Sequence, residues 1–226
     1  MNRTIELLIN KSEITAGTRG ASLGPEAMMT VARAQGSHFF SRFPIRHIAD
    51  RNDALDRPNK YPTAKHIDAL VEVFENVSGA VKETLDAGKF PLLLAADHGS
   101  AGGTIAGIKA AHPDKRIGII WIDAHADIHT PYTTPSGNMH GMPLATALNE
   151  DNLESKINEP ILEVVGMWKQ LKNTGVEGKK INAQDIVYIA VRDTETPENE
   201  IMERLNIRNY AVEDVRANGV EAVASA

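Results

Sequence analysis

The sequence predicts a three-layer α/β/α domain built on a mainly parallel sheet, and two observations carry this. Short apolar runs recur at 4–9 (TIELLI), 90–96 (FPLLLAA), 116–122 (RIGIIWI) and 185–191 (DIVYIAV), with helical stretches between them. Runs of this length bounded by turn residues read as buried strands, and strands alternating with helices favour a parallel sheet covered on both faces. Between the first two runs, Ile67, Leu70, Val71, Phe74, Val77, Val81 and Leu85 fall at three- and four-residue spacing. That spacing lines one face of an amphipathic helix, and Gly88 follows as its stop signal. A second helix is expected over 102–111, and Pro25 after Gly24 suits the first turn of an earlier one.

At 226 residues, 42% hydrophobic and 24% charged, the chain is expected to form one domain over 1–226. A net charge of −6 and no basic patch argue against nucleic acid and anionic membranes as partners. No cysteine is present, so any metal is held by histidine, carboxylate or carbonyl oxygen. The first residues lack the apolar stretch of a signal peptide, and no run is long enough to span a bilayer, so a cytoplasmic location is expected.

In an open parallel sheet, ligands bind beyond the carboxyl ends of the strands. The run 116–122 leads directly into Asp123, His125 and Asp127 at alternate positions, which share one face in extended chain. Two carboxylates beside an imidazole suit a borderline divalent cation such as manganese, and are mutually costly without one. The preceding strand ends in Asp97-His98, so His98 reaches the same pocket if the two strands are neighbours. Capping and turn roles are the plainer reading; they suffice for Asp97 but not for the Asp-Ala-His-Ala-Asp run. His38, His47, His66 and His112 lack such company and read as surface or core residues. A phosphate cradle at Gly99, Gly102, Gly103 and Gly107 fails on spacing, since neither G-x-G-x-x-G nor a Walker lysine motif occurs. The stretch 123–142 is the one long irregular segment, a feature that is often functional.

ADHGSAGGTI and WIDAHADIHTPYTTPSGNMHGMP resemble the two metal blocks of ureohydrolases, and SGNMHG narrows the resemblance to arginases. The likeness runs from Gly17–Pro25 through both blocks to RDTETPE at 192–198. It implies the arginase three-layer fold, a centre of two manganese ions that activate water, and hydrolysis of L-arginine to L-ornithine and urea. On this resemblance His98 and Asp127 hold one ion, His125 the other, and Asp123 bridges, with Asp97 a supporting partner. Ser136 and Asn138 receive the substrate's carboxylate end with Thr134 assisting, and His140 carries a proton; without the resemblance, TTPSGN reads as a polar turn. A homo-oligomer, trimer or hexamer, is also implied.

The sequence departs from the family at several points. His129 stands where many arginases have asparagine, and Glu195 where R-D-x-D-x-x-E has its second aspartate, while Glu198 matches; all three are assigned to substrate binding. No Asp-x-Asp-x-x-Asp-Pro block is present, so the chain reads as an arginase-like domain truncated at its carboxyl end. Agmatinase or guanidino-acid hydrolase activity, or a non-catalytic arginase-like protein, are the alternatives.

Overall fold

Six strands, eight α-helices and six short 3-10 turns make up the computed structural model, which describes residues 4–225. The strands are β1 (Ile5–Asn10), β2 (Ile45–Ile48), β3 (Phe90–Ala95), β4 (Ile119–Ile122), β5 (Ile186–Ile189) and β6 (Arg208–Tyr210). The helices are α1 (Gly24–Ala34), α2 (Ile67–Asp86), α3 (Ser100–Ala111), α4 (Pro143–Leu148), α5 (Leu162–Asn173), α6 (Thr196–Arg204), α7 (Val212–Asn218) and α8 (Val220–Ser225). All strand pairings are parallel and helices flank them, as the alternating pattern predicts. The four apolar runs become β1, β3, β4 and β5. The short polar strands β2 and β6 carry too little apolar periodicity to be found by pattern.

Of the residues spaced along one face of α2, Ile67, Leu70, Phe74, Val77 and Val81 are essentially inaccessible and Val71 and Leu85 are partly buried, while Val73, outside that spacing, is buried as well. Against this face lies α3. A Cβ on Gly107 would fall 2.5 Å from the Ser78 carbonyl oxygen, so the glycine serves close helix packing and not a phosphate. Pro25 occupies the first turn of α1, where its missing N–H costs nothing.

The strands do not form one sheet among the described residues. They form two sheets of three, ordered β2-β1-β3 and β4-β5-β6, with β3 and β4 as edges that are not hydrogen-bonded to each other. Expected as buried strands, these two are only partly covered: every residue of β3 is half-buried or exposed, and Ile120 and Ile122 of β4 are each 73% exposed. A strand is buried on both faces only when it has neighbours and helices on both, and β3 and β4 lack a partner on their inner sides. A cleft of about 310 Å³ separates them, lined by Leu93, Ala95, Thr104, Ile108, Ile119 and Trp121 among others.

Candidate metal and substrate site

The carboxyl ends of β3, β4 and β5 converge on one region although β3 and β4 do not pair. His98 follows β3 and spans the cleft, its ring stacked on Trp121 of β4 with centroids 4.5 Å apart. Its Nδ1 lies 2.7 Å from Asp127 Oδ2 and 3.1 Å from Asp123 Oδ2. Thus His98 reaches the Asp123 pocket without strand adjacency, which replaces the condition attached to it from sequence.

Asp123, His125 and Asp127 do not share one extended face. β4 ends at Ile122, Asp123 Oδ1 accepts the backbone N–H of His125 at 2.9 Å, and Asp127 turns into the left-handed region at φ 49°. Aspartate tolerates that conformation better than most residues. The turn brings Asp127 inward to 4% exposure, whereas His125 swings outward, with Nε2 3.5 Å from Asp193 Oδ2. Neighbouring backbone fixes the loop. Tyr188, buried on β5, donates its hydroxyl to the Ala126 carbonyl at 2.7 Å, and the N–H groups of Arg192 and Asp193 both donate to the Ala124 carbonyl at 2.9 Å.

His98, Asp123 and Asp127 place one ligand atom each within 4.8 Å of the others. The buried Asp127 Oδ2 has no hydrogen-bond donor although His98 Nδ1 is so near, so the ring N–H direction misses it. An imidazole nitrogen and two carboxylate oxygens facing a common point, one of them an orphaned buried oxygen, fit a divalent cation. Burial opposes protonation of His98, but close contact with Asp127 and the charges of Asp127, Asp123 and Asp97 outweigh it and raise its pKa. The pocket is therefore one that attracts positive charge. Asp97 accepts the Thr15 N–H at 2.9 Å and stands outside this cluster, in keeping with a supporting role; burial raises its pKa.

A cavity of about 170 Å³ opens beside the cluster, lined by His125, Asp127, His129, Thr134, Ser136, Asn138, His140, Glu195 and Glu198 among others. At its far end His129 is 7% exposed, with Nδ1 3.2 Å from Thr133 Oγ1 and Nε2 2.9 Å from Glu195 Oε2. Glu195 and Glu198 form a capping box at the start of α6. Glu198 is nearly inaccessible, and burial followed by the neighbouring Glu195 pushes its pKa up to about 8. The hydrogen bond with His129 holds Glu195 below the usual carboxylate range. These three residues form a second compact acidic-imidazole group.

The turn expected to receive a carboxylate is held from within. Thr134 Oγ1 accepts the N–H groups of Gly137 at 2.9 Å and Ser136 at 3.3 Å, and Ser136 Oγ accepts that of Asn138 at 3.1 Å. Thr134 is thus engaged in shaping the turn. The backbone N–H of His140 donates to the Thr15 carbonyl at 3.3 Å, tying it to the loop beneath Asp97. Sequence reasoning did not single out Thr15, Thr133, Tyr188 or Lys65, whose ammonium donates to Asn138 Oδ1 at 3.0 Å. Thr133 lies within the second metal block, where the resemblance gives it no role, and the other three lie in no motif and are brought to the site only by the fold.

The chain matches the model of the Arginase family over residues 8–226. It is 32% identical to the arginase of Brevibacillus brevis over 99% of this chain and 69% of that protein. It is 37% identical to Arginase-1 of Homo sapiens over 74% of this chain and 48% of that one. The solved arginase of Bacillus caldovelox superposes with a TM-score of 0.76 at 28% identity, covering 99% of this chain and 69% of that chain. An Entamoeba histolytica arginase solved with L-ornithine superposes with a TM-score of 0.80 at 22% identity, which shows the shared fold. Across such curated relatives the match spans between 43% and 69% of their length. With the family model matched along nearly its whole length, the chain belongs to the arginase family.

Proposed function

We propose that this chain supplies the greater part of a two-manganese site that hydrolyses L-arginine to L-ornithine and urea. The observation that carries the reading is the convergence of His98, Asp123 and Asp127 beside a cavity whose other end is lined by Ser136, Asn138, Glu195 and Glu198. In this reading His98, Asp123 and Asp127 hold one ion, and Asp123 and His125 contribute to the second. Two divalent ions, when bound, supply the positive charge that makes hydroxide available from water near neutral pH.

The chain's own residues then orient the substrate. Ser136 and the Asn138 amide donate to the α-carboxylate, with Thr134 holding their turn in shape and His129 closing that end. Glu195 and Glu198 face the α-ammonium, whose charge relieves the buried Glu198. Fixing both groups of the amino-acid end directs the guanidinium towards Asp127 and His125, the geometry that lowers the entropic barrier to attack. Hydrolysis adds water at the guanidinium carbon and breaks one C–N bond, and His140 delivers the proton to the departing amine. A cytoplasmic homo-oligomer acting on this small molecule completes the reading; no helix among the described residues is long and apolar enough to cross a membrane.

The test is urea release from L-arginine and agmatine at equal concentration, using the chain joined to a segment bearing the Asp-x-Asp-x-x-Asp-Pro block. Arginine is expected to be preferred, because agmatine leaves the Ser136 and Asn138 donors without the carboxylate they would pair with. Equal or faster turnover of agmatine assigns the site to another ureohydrolase reaction.

A further inference from the structure

Lys65 belongs to no motif and precedes the N-cap residue of α2, yet it is bonded to the 137–138 turn twice. Its backbone N–H donates to the Gly137 carbonyl at 2.8 Å, and its ammonium donates to Asn138 Oδ1 at 3.0 Å. The contact is rigid on the other side as well. Gly137 has φ 75°, and a Cβ there would lie 1.8 Å from the Pro62 carbonyl oxygen, so the 62–65 segment is packed against the 136–138 turn. The Lys65 ammonium has no carboxylate within 4.0 Å among the described residues, so its charge is not spent in an ion pair.

The chemistry of the pair decides which way the amide faces. An ammonium has donors only, so the atom it meets on Asn138 is the carbonyl oxygen. The two amide N–H donors are then left for the cavity, where an incoming carboxylate has acceptors only. Without Lys65 the amide is free to turn over and present its oxygen, which repels a carboxylate and weakens the preference for one.

We propose that Lys65 is a specificity-determining positioning residue, acting through Asn138 to make the cavity prefer ligands that carry an α-carboxylate. The proposal rests on the reading of this cavity as the amino-acid end of an arginine site. It assigns to a residue outside both metal blocks the choice between an amino acid and its decarboxylated counterpart.

The experiment titrates the manganese-loaded chain with L-ornithine and with putrescine by calorimetry, for wild type, Lys65→Met, Lys65→Arg, Asn138→Ala and Lys65→Met/Asn138→Ala. Wild type is expected to favour L-ornithine, Lys65→Met to lose about tenfold of that preference, the loss of roughly one charge-assisted hydrogen bond, and Lys65→Arg to keep it. In the Asn138→Ala background Lys65→Met is expected to change nothing further, a result that mere loss of local packing does not give. Wild-type preference retained in Lys65→Met, or lost additively in the double variant, overturns the role of Lys65 and leaves the arginine reading intact. No preference for L-ornithine in wild type overturns that reading, and the proposal with it.

Discussion

The two ends of the cavity are built to different standards. At the recognition end His129, Thr133, Thr134 and Glu198 are buried and each is hydrogen-bonded to its neighbours, while Ser136 and Glu195 stand exposed at the rim. At the metal end the side chains of His98 and His125 are 40% and 56% exposed, Asp193 is 82% exposed, and a buried Asp127 oxygen has no donor. The recognition end is made from the 129–138 loop, the start of α6 and the 62–65 segment, joined by direct hydrogen bonds. The metal end is made where two sheets meet across an open cleft, and its carboxylates face one another. One end is closed by its own hydrogen bonds, whereas the other, on the proposed reading, would need cations and further ligands to balance its carboxylates.

The comparison breaks first at the ligands. Asp123→Ala is expected to weaken manganese binding by on the order of 100-fold, because on the proposed reading Asp123 serves both ions, and His125→Ala by about tenfold. Elemental analysis after dialysis reads both. Unchanged metal content in Asp123→Ala would remove the assignment.

At the recognition end, Glu198 is the test. Its folded pKa of about 8 lies above the unfolded value of 4.5, so between these the folded state binds the extra proton. Stability is therefore greater at low pH and falls as pH rises from about 4.5 towards 8. Glu198→Gln is expected to recover about 2 kcal/mol at pH 8 relative to pH 5 in metal-free protein, as read by urea denaturation at both pH values. An identical pH dependence in wild type and variant would show that Glu198 is ionised in the fold.

A smaller effect is expected where the two ends join. Tyr188→Phe keeps the packing but leaves the buried Ala126 carbonyl without its donor, at a cost of about 1–1.5 kcal/mol in the denaturation midpoint. Stability within 0.3 kcal/mol of wild type, roughly the scatter of such measurements, would mean that the 123–127 loop is held by other contacts.

Much of this was legible in the sequence. Periodicity over 67–85 yields α2, the apolar runs yield β1, β3, β4 and β5, and the run at 123–127 marks the end of β4 as the site. What was not legible depends on contacts across the fold. The polar strands β2 and β6 are defined by pairing with a neighbour, not by their own pattern. The outward swing of His125 follows from the left-handed turn at Asp127. Lys65 lies 73 residues from Asn138, and no local signal links them. The glycines of α3 were separated from a phosphate loop by spacing, and their packing against α2 supplies the positive reason for them.

The claim that the metal end is incomplete is tested most directly by urea release from L-arginine with excess manganese. The 226-residue chain is assayed beside the same chain joined to a segment bearing the Asp-x-Asp-x-x-Asp-Pro block. On the proposed reading the second ion would keep only Asp123 and His125, a poor site, and a misplaced or absent ion costs alignment as well as charge. The chain alone is expected to be slower by at least about 100-fold. Comparable rates from the two would contradict the account, showing that residues already in the chain complete both ion sites.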